Sequence, residues 1–177
     1  MRLLWLPVLA GASVITSQEA LLDARACAKS FSRDEPVVIT SADNAFARVV
    51  PAWSRRLAVF GQRQQVLIAL SGVAQLLRGV DVCVVRYVDE KPVDEKRAAR
   101  KRRRGEQLPR LTGLSKFEVV GQFLAWRYQV LYSELDVFWR RDAWAAVCDA
   151  SAFRSRRAVA AMDNTINDEL NIGFFAA

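Results

Sequence analysis

At 177 residues, 52% hydrophobic and 25% charged, the chain has ordinary globular composition and enough length for one domain with a real core. Histidine is absent, which excludes Ser-His or Cys-His nucleophilic catalysis and any zinc site that depends on imidazole. Of the net charge of +7, the stretch Lys91 to Arg110 carries +6, with nine Lys/Arg against three Asp/Glu, so a basic surface spread over the fold is not indicated and no nucleic-acid partner is expected.

Met1-Arg2 and the uncharged run Leu3 to Gln18 resemble the n- and h-regions of a signal peptide, with Ala10-Gly11-Ala12 as an Ala-x-Ala cleavage pattern. The run is short for a transmembrane helix, which needs about 20 apolar residues, so a signal anchor comes second and a membrane partner is expected only in that case. A buried element of the domain is the competing reading. Residues 1–16 are therefore set apart from a single domain over 17–177. The three cysteines, Cys27, Cys83 and Cys148, show no C-x-x-C spacing and read as small buried residues, with one pair open to them in an oxidising lumen.

Ser17 to Phe31 has apolar residues at helical spacing and predicts an amphipathic helix. Asp34-Glu35-Pro36 breaks it. Val37-Val38-Ile39-Thr40 predicts a buried parallel strand, and Thr40, at its carboxyl end where ligands of open α/β sheets collect, is a candidate substrate contact. The polar turn that follows, Ser41-Ala42-Asp43-Asn44, is a natural place for a nucleoside base or ribose, though Asp43 or Asn44 is favoured as the cap of a helix from Ala45. Gln62 to Arg78 is apolar at helical period and predicts a helix stopped by Gly79; Val80 to Val88 predicts the next strand. The alternation predicts an open, mainly parallel α/β sheet with helices on both faces.

Lys96 to Arg104, inside the basic stretch 91–110, is too dense in charge for a core and predicts a solvated loop; phosphate steering, a nucleic-acid patch and an acidic-surface contact are the sharper alternatives. Ser115 then predicts a helix cap and Lys116 a place in the first helical turn, where a cation opposes the helix dipole. The run Val130 to Trp139 predicts a strand carrying Glu134 and Asp136 two positions apart, on one face by alternation, with Tyr132 and Phe138 as apolar flanks. Two converging carboxylates repel one another unless a counter-charge joins them, and hard oxygen ligands suit magnesium, manganese or calcium with positions left for phosphate oxygens. Trp144 to Cys148 predicts a short helix, Ala158 to Met162 a strand ending at Asp163-Asn164, and Ile172 onward another strand.

The order of Lys116-Phe117, Val130 to Asp142, Asp163-Asn164 and Glu169 to Phe174 resembles the nucleotide-diphospho-sugar transferase family, which includes plant and algal cell-wall arabinosyl- and xylosyltransferases. The family's pattern is a Lys opening a helix, a strand into Asp-x-Asp-hydrophobic-hydrophobic-Trp, an Arg/Lys-Asp-Pro turn, and a later Asn-x-Gly before aromatics. Glu134 stands at the first Asp and Ala143 at the turn Pro. The resemblance implies a glycosyltransferase-A fold and transfer of a sugar from a nucleoside diphosphate sugar to a hydroxyl of a glycan or protein acceptor, with retention of configuration. It implies a divalent metal, manganese first and magnesium second, on Asp136 and Glu134 as the catalytic pair. Lys116 then faces the pyrophosphate or pairs with an acid of the metal site, and Asp163, Asn171 and Gly173 lie against the sugar. The implied location is the secretory pathway, in the Golgi lumen or membrane. By the same comparison the chain stops in mid-strand, before an acceptor-binding half. The alternative function is an inert α/β binding domain whose basic loop takes a polyanion.

Overall fold

A computed structural model describes residues 15–70, 77, 79–87, 109–137, 139–142, 144–145, 160–164 and 169–176, with backbone alone at 109–114, 160–164 and 169–176. The basic segment 91–108, residues 1–14 and Cys148 lie outside the described residues, as does all but Trp144-Ala145 of the short helix expected there.

Helix α1 (Gln18–Ser30) starts where the sequence places it, because the Ser17 hydroxyl accepts the Ala20 N–H. Before it, Ile15 is buried in the core and Thr16 is tied to Glu118, so these two residues pack with the domain. Strand β1 (Val37–Ala42) follows the Pro36 break. The Asp43 carboxylate accepts the Ala45 and Phe46 N–H groups, the capping role expected of it, but the chain makes a 3-10 turn, Ala47–Val49, before helix α2 (Val50–Val59). Gly61, at φ 77°, ends α2: its N–H reaches the Ala58 carbonyl and that of Gln62 the Leu57 carbonyl, a Schellman closure that favours a residue without Cβ.

Within the helix expected over 62–78, Gln65–Leu70 is instead strand β2, buried at all six positions, while 71–76 and 78 lie outside the described residues. A continuous apolar run satisfies helical spacing and a fully buried parallel strand equally, and pairing on both sides decides for the strand. Strand β3 (Cys83–Tyr87) forms within the run predicted for it. Helix α3 (Pro109–Ala125) starts six residues before Ser115, with Pro109 tolerated at the first helical position. Ser115 is thus no cap, and Lys116 lies well inside the helix, so the dipole argument lapses. Arg127, at φ 65°, closes α3 with a second Schellman pair, Arg127 N–H to Leu124 and Tyr128 N–H to Phe123, and the Phe123 and Tyr128 rings meet edge-on at 5.6 Å. The chain passes almost at once into β4 (Val130–Ser133). β5 (Ala160–Asn164) and β6 (Glu169–Ala176) follow; β5 includes Asp163-Asn164, and β6 begins before Ile172.

The sheet order is β3-β2-β1-β4-β6-β5. The first four strands are parallel, β6 is antiparallel to both β4 and β5, and the fold is α/β as expected. Alternation divides the core: Val37, Ile39, Val130 and Tyr132 pack with α1 and α3, whereas Val38, Leu131 and Trp139 pack with Val50, Trp53 and Leu57 of α2. Helices therefore cover both faces. A Cys27–Cys83 disulfide joins α1 to β3, and Arg86 bridges Asp23 at 2.8 Å and Glu19 at 3.1 Å across the same junction.

Candidate functional site

From β1 the chain moves outward to β2 and β3, then returns to place β4 on the other flank of β1. Such a reversal opens a crevice at the carboxyl ends of the two central strands, the place where open α/β sheets bind ligands. Ser41 on β1 and Tyr132 on β4 meet there, hydroxyl to hydroxyl at 2.9 Å. Tyr132 is fully buried, and its phenol is pushed up to about 12, first by burial and further by the nearby carboxylates of Glu134 and Asp136, against the opposing effect of the Ser41 hydrogen bond. Tyr132 is thus a neutral polar member of the site and more than the apolar flank the sequence suggested.

The two acids do not lie on the strand. β4 ends at Ser133, and Glu134-Leu135-Asp136-Val137 is a turn closed by the Val137 N–H to the Glu134 carbonyl at 3.2 Å. Strand alternation therefore does not orient them; the turn does. Leu135 and Trp139 anchor it in the α2-side core, and the Trp139 indole N–H donates to the Ser133 hydroxyl at 3.0 Å. With those apolar residues taken inward, Asp136 is exposed and Glu134 half-exposed, both within electrostatic reach of the Tyr132 hydroxyl.

Lys116 comes to the same place from α3. Its ammonium lies 3.4 Å from Glu134 Oε1 and 4.9 Å from the Tyr132 ring centroid. The side chain is 5% exposed against 45% for Glu134, so the cation is the desolvated partner and the carboxylate still meets water. A buried ammonium is tolerated only with such compensation, here a carboxylate and a π face. Of the two sequence alternatives for Lys116, the structure shows the pairing with an acid.

Thr40 is not brought to this group. It shares the α2-side face of β1 with Val38 and Ala42, is fully buried, and its hydroxyl has no partner among the described residues. Its neighbour Ser41 takes the crevice position; alternation along β1 puts the two on opposite faces, and the packing of the sheet decides which face meets the crevice. The register Ser133↔Phe174 places the earlier part of β6, with Gly173 and Asn171, beyond the carboxyl end of β4. Asn171 pairs with Met162 and Leu170 with Asp163, so all three candidates share the sheet end that carries the acids.

Among the described residues no group of three or more His, Cys, Asp or Glu converges. The donor set nonetheless fits a hard divalent cation: magnesium-type sites take one or two carboxylates and fill the rest with water and phosphate oxygens, and Glu134 and Asp136 are an accessible pair of that kind. The basic loop of the polyanion alternative falls outside the described residues.

Among the described residues no helix is long and apolar enough to cross a membrane. No curated protein and no solved structure matches the chain. Residues 75–177, more than half of the sequence and all of the segment bearing Lys116, Glu134 and Asp136, match the family model described as nucleotide-diphospho-sugar transferase. The crevice at the strand reversal and the acidic turn beside it agree with that match, and the chain belongs to the nucleotide-diphospho-sugar transferase family.

Proposed function

We propose that this chain is a metal-dependent glycosyltransferase that moves a sugar from a nucleoside diphosphate sugar to an acceptor hydroxyl of a glycan or protein. The observation that carries the reading is the joining of Glu134, Asp136 and Lys116 around Tyr132 at the strand reversal. Transfer forms a bond from the acceptor oxygen to the anomeric carbon, breaks that carbon's bond to the diphosphate and releases the hydroxyl proton to the departing diphosphate or to solvent, so the charge needing stabilisation gathers on the departing phosphates. Asp136 and Glu134 would hold manganese or magnesium, which when bound neutralises that charge.

Lys116 adds a fixed positive charge beside Glu134 and holds the carboxylate through one oxygen. Tyr132, neutral at physiological pH, offers a hydroxyl hydrogen bond and no competing anion. Asp163, Asn171 and Gly173 are assigned to the sugar, on the strength of their common end of the sheet. The Cys27–Cys83 disulfide supports folding in an oxidising compartment, the secretory lumen, since such bonds are rare where glutathione keeps thiols reduced.

The deciding experiment is calorimetric titration of uridine diphosphate into the protein with manganese, with chelator, and in Asp136→Ala. Binding that manganese strengthens, with the enhancement lost in chelator and in the variant, is the expected result. Absence of binding by the folded wild-type chain would overturn the reading.

A further inference from the structure

The two acids sit on a turn beyond the end of β4, so something other than the sheet must hold them in place. The indole of Trp139 is fixed by Ser133, but its backbone carbonyl points to α2, where the Arg56 Nε–H donates to it at 2.6 Å. Arg56 is half-buried and its guanidinium lies over the Phe60 ring, 4.8 Å from the centroid, which limits its rotation. Just beyond the end of α2, Gln62 donates to the Asp142 carboxylate that also caps the backbone at Trp144 and Ala145. α2 and the turn after it therefore grip the stretch that follows the acids at two points, 139 and 142.

We infer that Arg56 is a positioning residue for the donor site: by holding the Trp139 carbonyl it sets the path of the Glu134–Val137 turn and hence the placement of Asp136. It touches neither donor nor metal. A guanidinium suits this task because its planar fork is pre-organised and always charged, and charge-assisted hydrogen bonds are the stronger kind. This inference rests on the donor-site reading above for its functional consequence, though not for its structural one.

The variants are Arg56→Met, which keeps an apolar stem on Phe60 and removes the donor, and Arg56→Lys, which restores a cationic donor to the same carbonyl. Phe60→Leu, which removes the ring beneath the guanidinium, serves if the first does not fold. The readouts are thermal melting, hydrogen exchange at the Val137 amide, and the ratio of uridine diphosphate affinities with manganese and with chelator. Expected for Arg56→Met are a near-native melt, faster exchange at Val137, and a loss of about tenfold in the manganese-dependent enhancement with chelator affinity unchanged. Arg56→Lys should recover part of both effects, and Phe60→Leu should show a smaller loss in the same two readouts. Unchanged exchange at Val137 in a folded variant, or equal losses with and without metal, would overturn it. If the wild-type chain shows no metal-dependent binding, the donor-site reading fails and the exchange measurement alone decides the part played by Arg56.

Discussion

Replacing Lys116 by Met removes the buried ammonium and keeps most of its apolar stem. At 3.4 Å, and with an effective dielectric of about 20, the attraction to Glu134 is about 5 kcal/mol before solvation is counted. Because Glu134 is 45% exposed, water takes up most of this, leaving a change on the order of 1.4 kcal/mol, or tenfold in an equilibrium constant. The loss to folding is partly offset, since the ammonium no longer has to be desolvated, and exchange of a buried ion for a residue of similar volume is often neutral; a melting shift within about 4 °C is expected. Binding should respond more clearly and with two signs. Manganese alone should bind about tenfold more tightly, because the cation beside Glu134 is gone, whereas uridine diphosphate in chelator should bind about tenfold more weakly. Titration calorimetry of each ligand separately reads both. If the two affinities move together, or neither moves in a folded variant, the ammonium is not electrostatically coupled to the site and the reasoning is wrong.

Three further outcomes follow from the geometry. Cys27→Ser with Cys83→Ser opens a bridge spanning 56 residues, and chain entropy puts the cost at about 4 kcal/mol; urea denaturation measures it, and addition of reductant should destabilise the wild type but not the double variant. Hydrogen bonding to Arg86 holds the Asp23 carboxyl below its ordinary value, so this contribution is present above about pH 3.9 and is lost as pH falls through the lowered folded value; the stability gap between wild type and Arg86→Met should close there in acid denaturation. Tyr132 is raised from 10.0 to about 12, so above pH 10 the unfolded chain ionises first and stability falls; Tyr132→Phe should lack that part of the decline, while losing about 1 kcal/mol at neutral pH with the Ser41 bond, both read by denaturant titration at several pH values.

Much of this architecture is legible from residue order. The amphipathic α1 with its Ser17 cap, the apolar runs of β1 and β3, and the acidic pair followed by Trp139 each carry a local signal, and local signals are what a sequence displays. The absence of histidine bounds the chemistry for the same reason. The failures occurred where two local patterns coincide or where a boundary depends on distant partners. Gln65–Leu70 fits helix and buried strand alike until β1 and β3 flank it, and β4 stops at Ser133 because Leu135 and Trp139 turn inward to the α2-side core.

Sequence by itself determined the α/β class, the carboxylate pair and the family, because composition and short-range spacing encode them. Tertiary structure alone decided that Ser41 and not Thr40 reaches the crevice, that Lys116 meets Glu134, and that Cys27 pairs with Cys83. These contacts join residues 91, 18 and 56 positions apart, and no local preference specifies them; they follow from the order in which strands are laid side by side and from which face each residue presents.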